Sequence, residues 1–96
     1  METLMSGDTL DTATALLKAV THPVRLQIVN VLINGEFHVR ELANTIGINN
    51  SIISLQLRIL KFAGVVKSRR GGNKVYYTLA NNSVERIMKS IISELR

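Results

Sequence analysis

Chain breakers set the limits on this fold. Pro23, Gly35, Gly47, Gly64 and the Gly71-Gly72 pair divide the 96 residues into short segments. Proline disrupts a helix interior and glycine favours helix ends, so the spacing admits only short elements joined by tight turns. Up to Gly64 the apolar residues recur at three- and four-residue steps, the period of a helix. Beyond it the chain becomes β-rich around the glycine pair.

Ser6 or Asp8 can cap a first helix running to about Val20, with Leu10, Ala13, Leu16, Leu17 and Val20 on one stripe. Thr21-His22-Pro23 interrupts it, and Pro23 suits the first turn of a second helix, where its missing N–H costs little. That helix, to about Ile33, is apolar nearly all round and should be the buried one; Asn34-Gly35 ends it. A third helix is expected over Val39–Ile46, with Leu42, Ala43 and Ile46 inward, and Gly47 turns the chain. Asn49 or Asn50 can cap a fourth from about Ser51 to Ala63, with Ile52, Ile53, Leu57 and Leu60 as its core face. Helix, glycine turn and helix at this spacing make a helix-turn-helix, whose second helix normally enters the major groove of DNA. Two β-rich runs, Val65–Arg70 and Lys74–Leu79, then flank Gly71-Gly72-Asn73 as a hairpin with a basic tip. A last helix, about Ser83 to Leu95, aligns Val84, Ile87, Met88, Ile91, Ile92 and Leu95. The expected fold class is mainly α with a small β-hairpin.

A chain this short has room for one domain, read as an N-terminal tail over residues 1–7 and a folded unit over 8–96. Alone it buries only roughly 60–65% of the surface its unfolded form exposes. With 46% hydrophobic and 4% aromatic residues the core must be aliphatic, and a second subunit can complete it. The matching stripes on the first and last helices make a homodimer seam the favoured reading, through Leu10, Ala13, Leu17, Val84, Ile87, Met88, Ile91 and Leu95. Burial within the chain is the other way to cover them.

Composition also removes function classes. Without cysteine there is no disulfide framework, thiolate metal site or thiol switch, and His22 and His38 are too few for a convincing zinc site. No metal or cofactor is expected. Seven carboxylates lie scattered without pairing, no nucleophile has a base beside it, and Gly71-Gly72 sits in a hairpin rather than between strand and helix; an enzyme is not expected. No apolar run approaches the ~20 residues of a membrane span, and no signal-peptide pattern opens the chain, so a cytoplasmic protein is expected.

Charge is unevenly spread. Residues 1–36 carry two cations against four carboxylates, and residues 81–96 carry three against two. Residues 37–80 carry seven, Arg40, Arg58, Lys61, Lys67, Arg69, Arg70 and Lys74, against Glu41 alone. A basic middle between near-neutral flanks is the footprint of a polyanion-binding segment.

His22-Pro23-Val24-Arg25-Leu26-Gln27-Ile28 and Val39-Arg40-Glu41-Leu42-Ala43 resemble the second and third helices of the ArsR/SmtB family of winged-helix repressors. Asn50 through Leu60 resembles that family's recognition helix. Ala63-Gly64-Val65-Val66 and Lys74-Val75-Tyr76-Tyr77-Thr78-Leu79 are similar to its helix-to-wing junction and second wing strand. The likeness spans about residues 10–95. It implies a winged helix-turn-helix of order α-α-α-α-β-β-α, dimeric through its first and last helices, that represses by binding double-stranded DNA and leaves when an inducer binds. Base readout is expected from Asn50, Ser51, Ser54, Leu55 and Gln56 near the start of the recognition helix. Asn and Gln suit adenine; Leu55 stands where the family commonly has a polar residue and can meet a thymine methyl. Arg69, Arg70 and Lys74, with Lys67 behind them, are expected on the backbone or minor groove, and Arg40, Arg58 and Lys61 on further phosphates. The places of the family's metal ligands fall on His38 and Arg40 and on Asn81 and Ser83, with Glu94 near another, and its thiol-sensing cysteine falls on Asn30. Asn81 and Ser83 are poor ligands and Asn30 is no thiol, so the releasing signal, and any sensing role of His38, stays open. Non-specific architectural DNA binding and a winged helix used for protein contacts are the rival functions.

Overall fold

Each helix begins where a side chain caps it. The computed structural model describes residues 3–95; Met1 and Glu2 of the expected tail, and Arg96, lie outside them. Helix α1 (Gly7–Val20) follows Ser6, whose Oγ accepts from the Thr9 amide at 3.3 Å. Helix α2 (Pro23–Leu32) follows His22, whose Nδ1 accepts from the Val24 amide at 3.2 Å, with Pro23 in its first turn. Strand β1 (Phe37–His38) leads into α3 (Val39–Ile46) through a capping box: His38 Nδ1 accepts from the Glu41 amide, and Glu41 Oε1 accepts from the His38 amide at 3.0 Å. Helix α4 (Asn50–Phe62) is capped by Asn49, whose Oδ1 accepts from the Ile52 amide at 2.9 Å. Strands β2 (Val66–Gly71) and β3 (Lys74–Leu79) precede α5 (Asn82–Leu95), where Asn81 Oδ1 accepts from the Val84 amide at 3.1 Å. Each cap satisfies an amide that the helix leaves unpaired.

The first helix starts one residue before Asp8, and the fourth at Asn50 rather than Ser51. Between α3 and α4, Gly47 adopts φ 82°, a left-handed conformation glycine enters without a Cβ clash. That turn sets the angle between the two helices of the motif.

The core is built from α2, α3 and α4. Ile28, Val29, Leu42, Ile53, Leu57, Leu60 and Val65 are completely buried, each contributing about 1.5–3 kcal/mol by leaving water. The fourth helix turns Ile53, Gln56, Leu57 and Leu60 inward. Ile52, expected on the same face, is 41% exposed instead; at 3.6 residues per turn it lies about 90° around the helix from the centre of the line that those four residues form.

The fifth helix corrects the expected seam. Val84 and Met88 are only 5% and 4% exposed and belong to the chain's own core, while Ile87, Ile91 and Leu95 remain outside. The apolar stripe is broad enough to serve two purposes.

Antiparallel pairing places the strands in the order β1-β3-β2. The hairpin was expected; β1 was not, because two residues carry no readable period. It pairs Phe37 with Tyr77 and His38 with Tyr76, tying the loop after α2 to the wing. Gly71 pairs with Lys74 across the two-residue turn Gly72-Asn73, where Gly72 takes the positive φ of 65° that a glycine-first hairpin turn uses.

Candidate nucleic-acid interface

The outer surface of α4 carries no carboxylate, since Asn50–Phe62 contains neither Asp nor Glu. Because Asn49 performs the capping, the Asn50 and Ser51 side chains are released, and both are exposed. Ser54 and Leu55 are exposed as well, with Arg58 and Lys61 further along. Gln56 is not. It is 8% exposed, and its Oε1 accepts from Arg25 Nη1 at 2.8 Å. Arg25 also donates from Nε to the Ala19 carbonyl at 2.6 Å, so one guanidinium joins the end of α1, helix α2 and the recognition helix. Gln56 therefore leaves the readout set, drawn inward by an arginine that itself needed acceptors. Arg25 was missed; its signal was a cation on a helix otherwise apolar nearly all round.

Alternation along the wing separates its charges. Lys67, Arg69 and Gly71 point to one side of β2; Val66, Ser68 and Arg70 point to the other. On the first side Arg69 lies opposite Tyr76, its guanidinium 4.8 Å from the ring centre, and forks onto Glu36, with Nε donating to Oε2 at 2.7 Å. These hydrogen bonds hold the Glu36 carboxyl below its usual range and raise the Arg69 guanidinium further. The expected phosphate ligand Arg69 thus braces the wing against the loop before β1. A Cβ on Gly71 would come within 2.9 Å of both Arg69 Nη1 and Tyr76, so this packing also depends on glycine. On the other side Lys61 Nζ donates to Ser68 Oγ at 2.7 Å, linking α4 to the wing. Among the described residues, Arg40, Arg58, Lys67, Arg70 and Lys74 are exposed and have no carboxylate within 4.0 Å.

A groove of about 500 Å³ opens between the starts of α3 and α4 and the wing tip, lined in part by Arg40, Asn50, Asn73 and Lys74. Two expected phosphate ligands and one expected base reader thus share a cleft, joined by the unexpected Asn73. Arg40 had a hint: a cation in the first turn of a helix opposes the dipole. His38, another wall of the groove, is the cap of α3 and packs edge-on against Tyr76 at 5.6 Å. Among the described residues no group of three or more His, Asp or Glu is placed to hold a metal ion.

On α1 and α5, Leu10, Leu17, Ile87, Ile91 and Leu95 are exposed, from 43% to 81%, and Ala13 is half-buried.

The fold and this basic, carboxylate-free helix define a winged helix-turn-helix of the DNA-binding class. The family model described as bacterial regulatory protein, arsR family, matches residues 22–68. The chain belongs to that family. It is 38% identical over 76 residues to a biofilm growth-associated repressor of Xylella fastidiosa, covering 79% of this chain and 67% of that one. It is 34% identical over 93 residues to a transcriptional repressor SmtB homolog of Synechocystis, covering 97% and 70% respectively. The homodimeric winged helix-turn-helix DNA-binding domain of a possible ArsR-family regulator from Mycobacterium bovis superposes with a TM-score of 0.85 at 32% identity, covering 95% of this chain and 90% of that one.

Proposed function

We propose that this chain is a homodimeric transcriptional repressor that binds a palindromic operator, with α4 in the major groove and the wing on the neighbouring backbone. The observation that carries this reading is the surface of α4: exposed Asn50, Ser51 and Ser54 at its start, no carboxylate along it, and exposed Arg40 and Lys74 around the adjoining groove. Arg58, Lys61, Lys67 and Arg70 extend the positive surface outward. Arg69 serves first to hold the wing in place. Leu10, Ala13, Leu17, Ile87, Ile91 and Leu95 supply the seam with the second copy, which sets two recognition helices about one DNA turn apart. Relatives named as repressors and a homodimeric neighbour support the same assignment. A dimer that neutralises about six to ten phosphates loses roughly 10³–10⁵-fold in affinity between 50 and 200 mM salt.

Selection of genomic fragments by the purified protein at about 150 mM salt, followed by footprinting, tests this reading. A palindrome upstream of one or two genes is the expected result. Broad recovery without a motif would replace it with architectural binding, and no recovery would turn attention to a protein partner.

A further inference from the structure

Two aliphatic side chains stand where a recognition helix usually presents polar ones. Ile52 is 41% exposed and Leu55 48%, one turn apart in the N-terminal half of α4. Ser51 and Ser54 lie beside them, also exposed. The long amide nearby is withdrawn, because Gln56 is bonded to Arg25. Asn50 lies to one side, in the groove with Arg40 and Lys74. Beyond Asn50, the first two turns of the reading face therefore offer apolar surface and two hydroxyls, with Arg58, able to bond a base in bidentate fashion, one turn further on.

Apolar surface gains by leaving water only against an apolar partner. In the major groove that partner is the C5 methyl of thymine. We propose that Ile52 and Leu55 read the methyl groups of adjacent thymines in each operator half-site, with Ser51 and Ser54 bonding base edges or phosphates beside them. The inference rests on α4 being the recognition helix and extends that reading to base identity. An apolar protein surface is the competing occupant of such a stripe. Charge favours DNA: α4 has no carboxylate, Arg58 and Lys61 share its outer surface, and the exposed Arg40 and Lys74 flank its start.

The test uses the selected operator duplex and a copy with every half-site thymine replaced by deoxyuridine, which deletes methyl groups alone. Wild-type protein should bind the deoxyuridine duplex about fourfold more weakly for each methyl group that the two side chains cover. The Ile52→Ala/Leu55→Ala variant, changed only at exposed positions, should bind both duplexes equally while keeping the wild-type salt dependence and circular dichroism. Equal binding of both duplexes by wild type, or a selected half-site without thymine, overturns methyl reading and leaves the recognition helix in place. Unchanged operator binding by the variant overturns it too and gives the stripe to a protein partner. Failure of wild type to bind any selected duplex removes the recognition-helix reading, and this inference with it.

Discussion

Two faces of the molecule leave aliphatic side chains in water, and their electrical surroundings differ. On α4, Ile52 and Leu55 are exposed with Arg58 and Lys61 further along, while Ile59 and Phe62 turn to a groove shared with Asp11 and Lys18 of α1. On α1 and α5, Leu10, Leu17, Ile87, Ile91 and Leu95 are exposed among Asp8, Asp11 and Lys18 and among Glu85, Arg86, Lys89 and Glu94. Apolar exposure alone marks both as contact surfaces. The company each keeps names the partner. A near-neutral apolar face suits a second copy, since a two-fold interface sets the same charges against each other. A face with cations and no acid would repel its own copy and attracts a polyanion.

The largest test of that contrast is Ile91→Glu. A carboxylate in the seam should give a monomer in sedimentation at micromolar concentration. Operator affinity should fall by about 10²–10⁴-fold, because the second half-site no longer binds intramolecularly. A variant that still sediments as a dimer would move the interface off α5.

Next comes the wing. Arg70→Ala with Lys74→Ala should reduce the slope of log K against log salt by about 0.9 for each phosphate left without its cation. Arg69→Ala should reduce it less, because Glu36 already neutralises that guanidinium. Equal slopes for Arg69→Ala and Arg70→Ala would show that Arg69 abandons Glu36 for DNA. A smaller effect is expected from Asn50→Ala, about 1–3 kcal/mol of discrimination if the amide pairs bidentately with adenine. The same loss on random duplex would show that it positions the helix without reading bases.

The smallest effect concerns pH. Arg69 lowers the Glu36 pKa, so the pair contributes above the ordinary carboxylate range and its contribution is lost as pH falls through the lowered value. Both groups are exposed, which keeps the contribution to stability small. Titration followed by carboxyl NMR shifts should place Glu36 below the ordinary glutamate range in wild type, and Arg69→Ala should raise it. An unmoved Glu36 would break the assignment of the brace.

Much of the fold is legible in the amino-acid order. Breakers and periodicity placed five helices and the hairpin, because capping and turn chemistry act over three or four residues. Most departures share one cause: pairs of residues distant in sequence. Gln56 read as a base contact because it is polar and on the recognition helix; its burial needs Arg25, thirty-one residues away. Glu36 and Arg69 are thirty-three apart, and only the β1–β3 pairing makes their meeting intelligible. The stripe on α5 announced burial without saying in which chain, and Val84 and Met88 went inward while Ile87 and Ile91 stayed out. Ile52 departs for a local reason that helix geometry supplies: it lies about 90° around α4 from the centre of the line formed by Ile53, Gln56, Leu57 and Leu60.

The most direct test of two faces with two partners is amide NMR of the labelled protein titrated with its operator duplex. The large shifts should gather at Asn50–Arg58, at Arg40 and at Arg70–Lys74, leaving the outer residues Ile87, Ile91 and Leu95 little changed. Shifts concentrated on α1 and α5, with α4 and the wing silent, would contradict it.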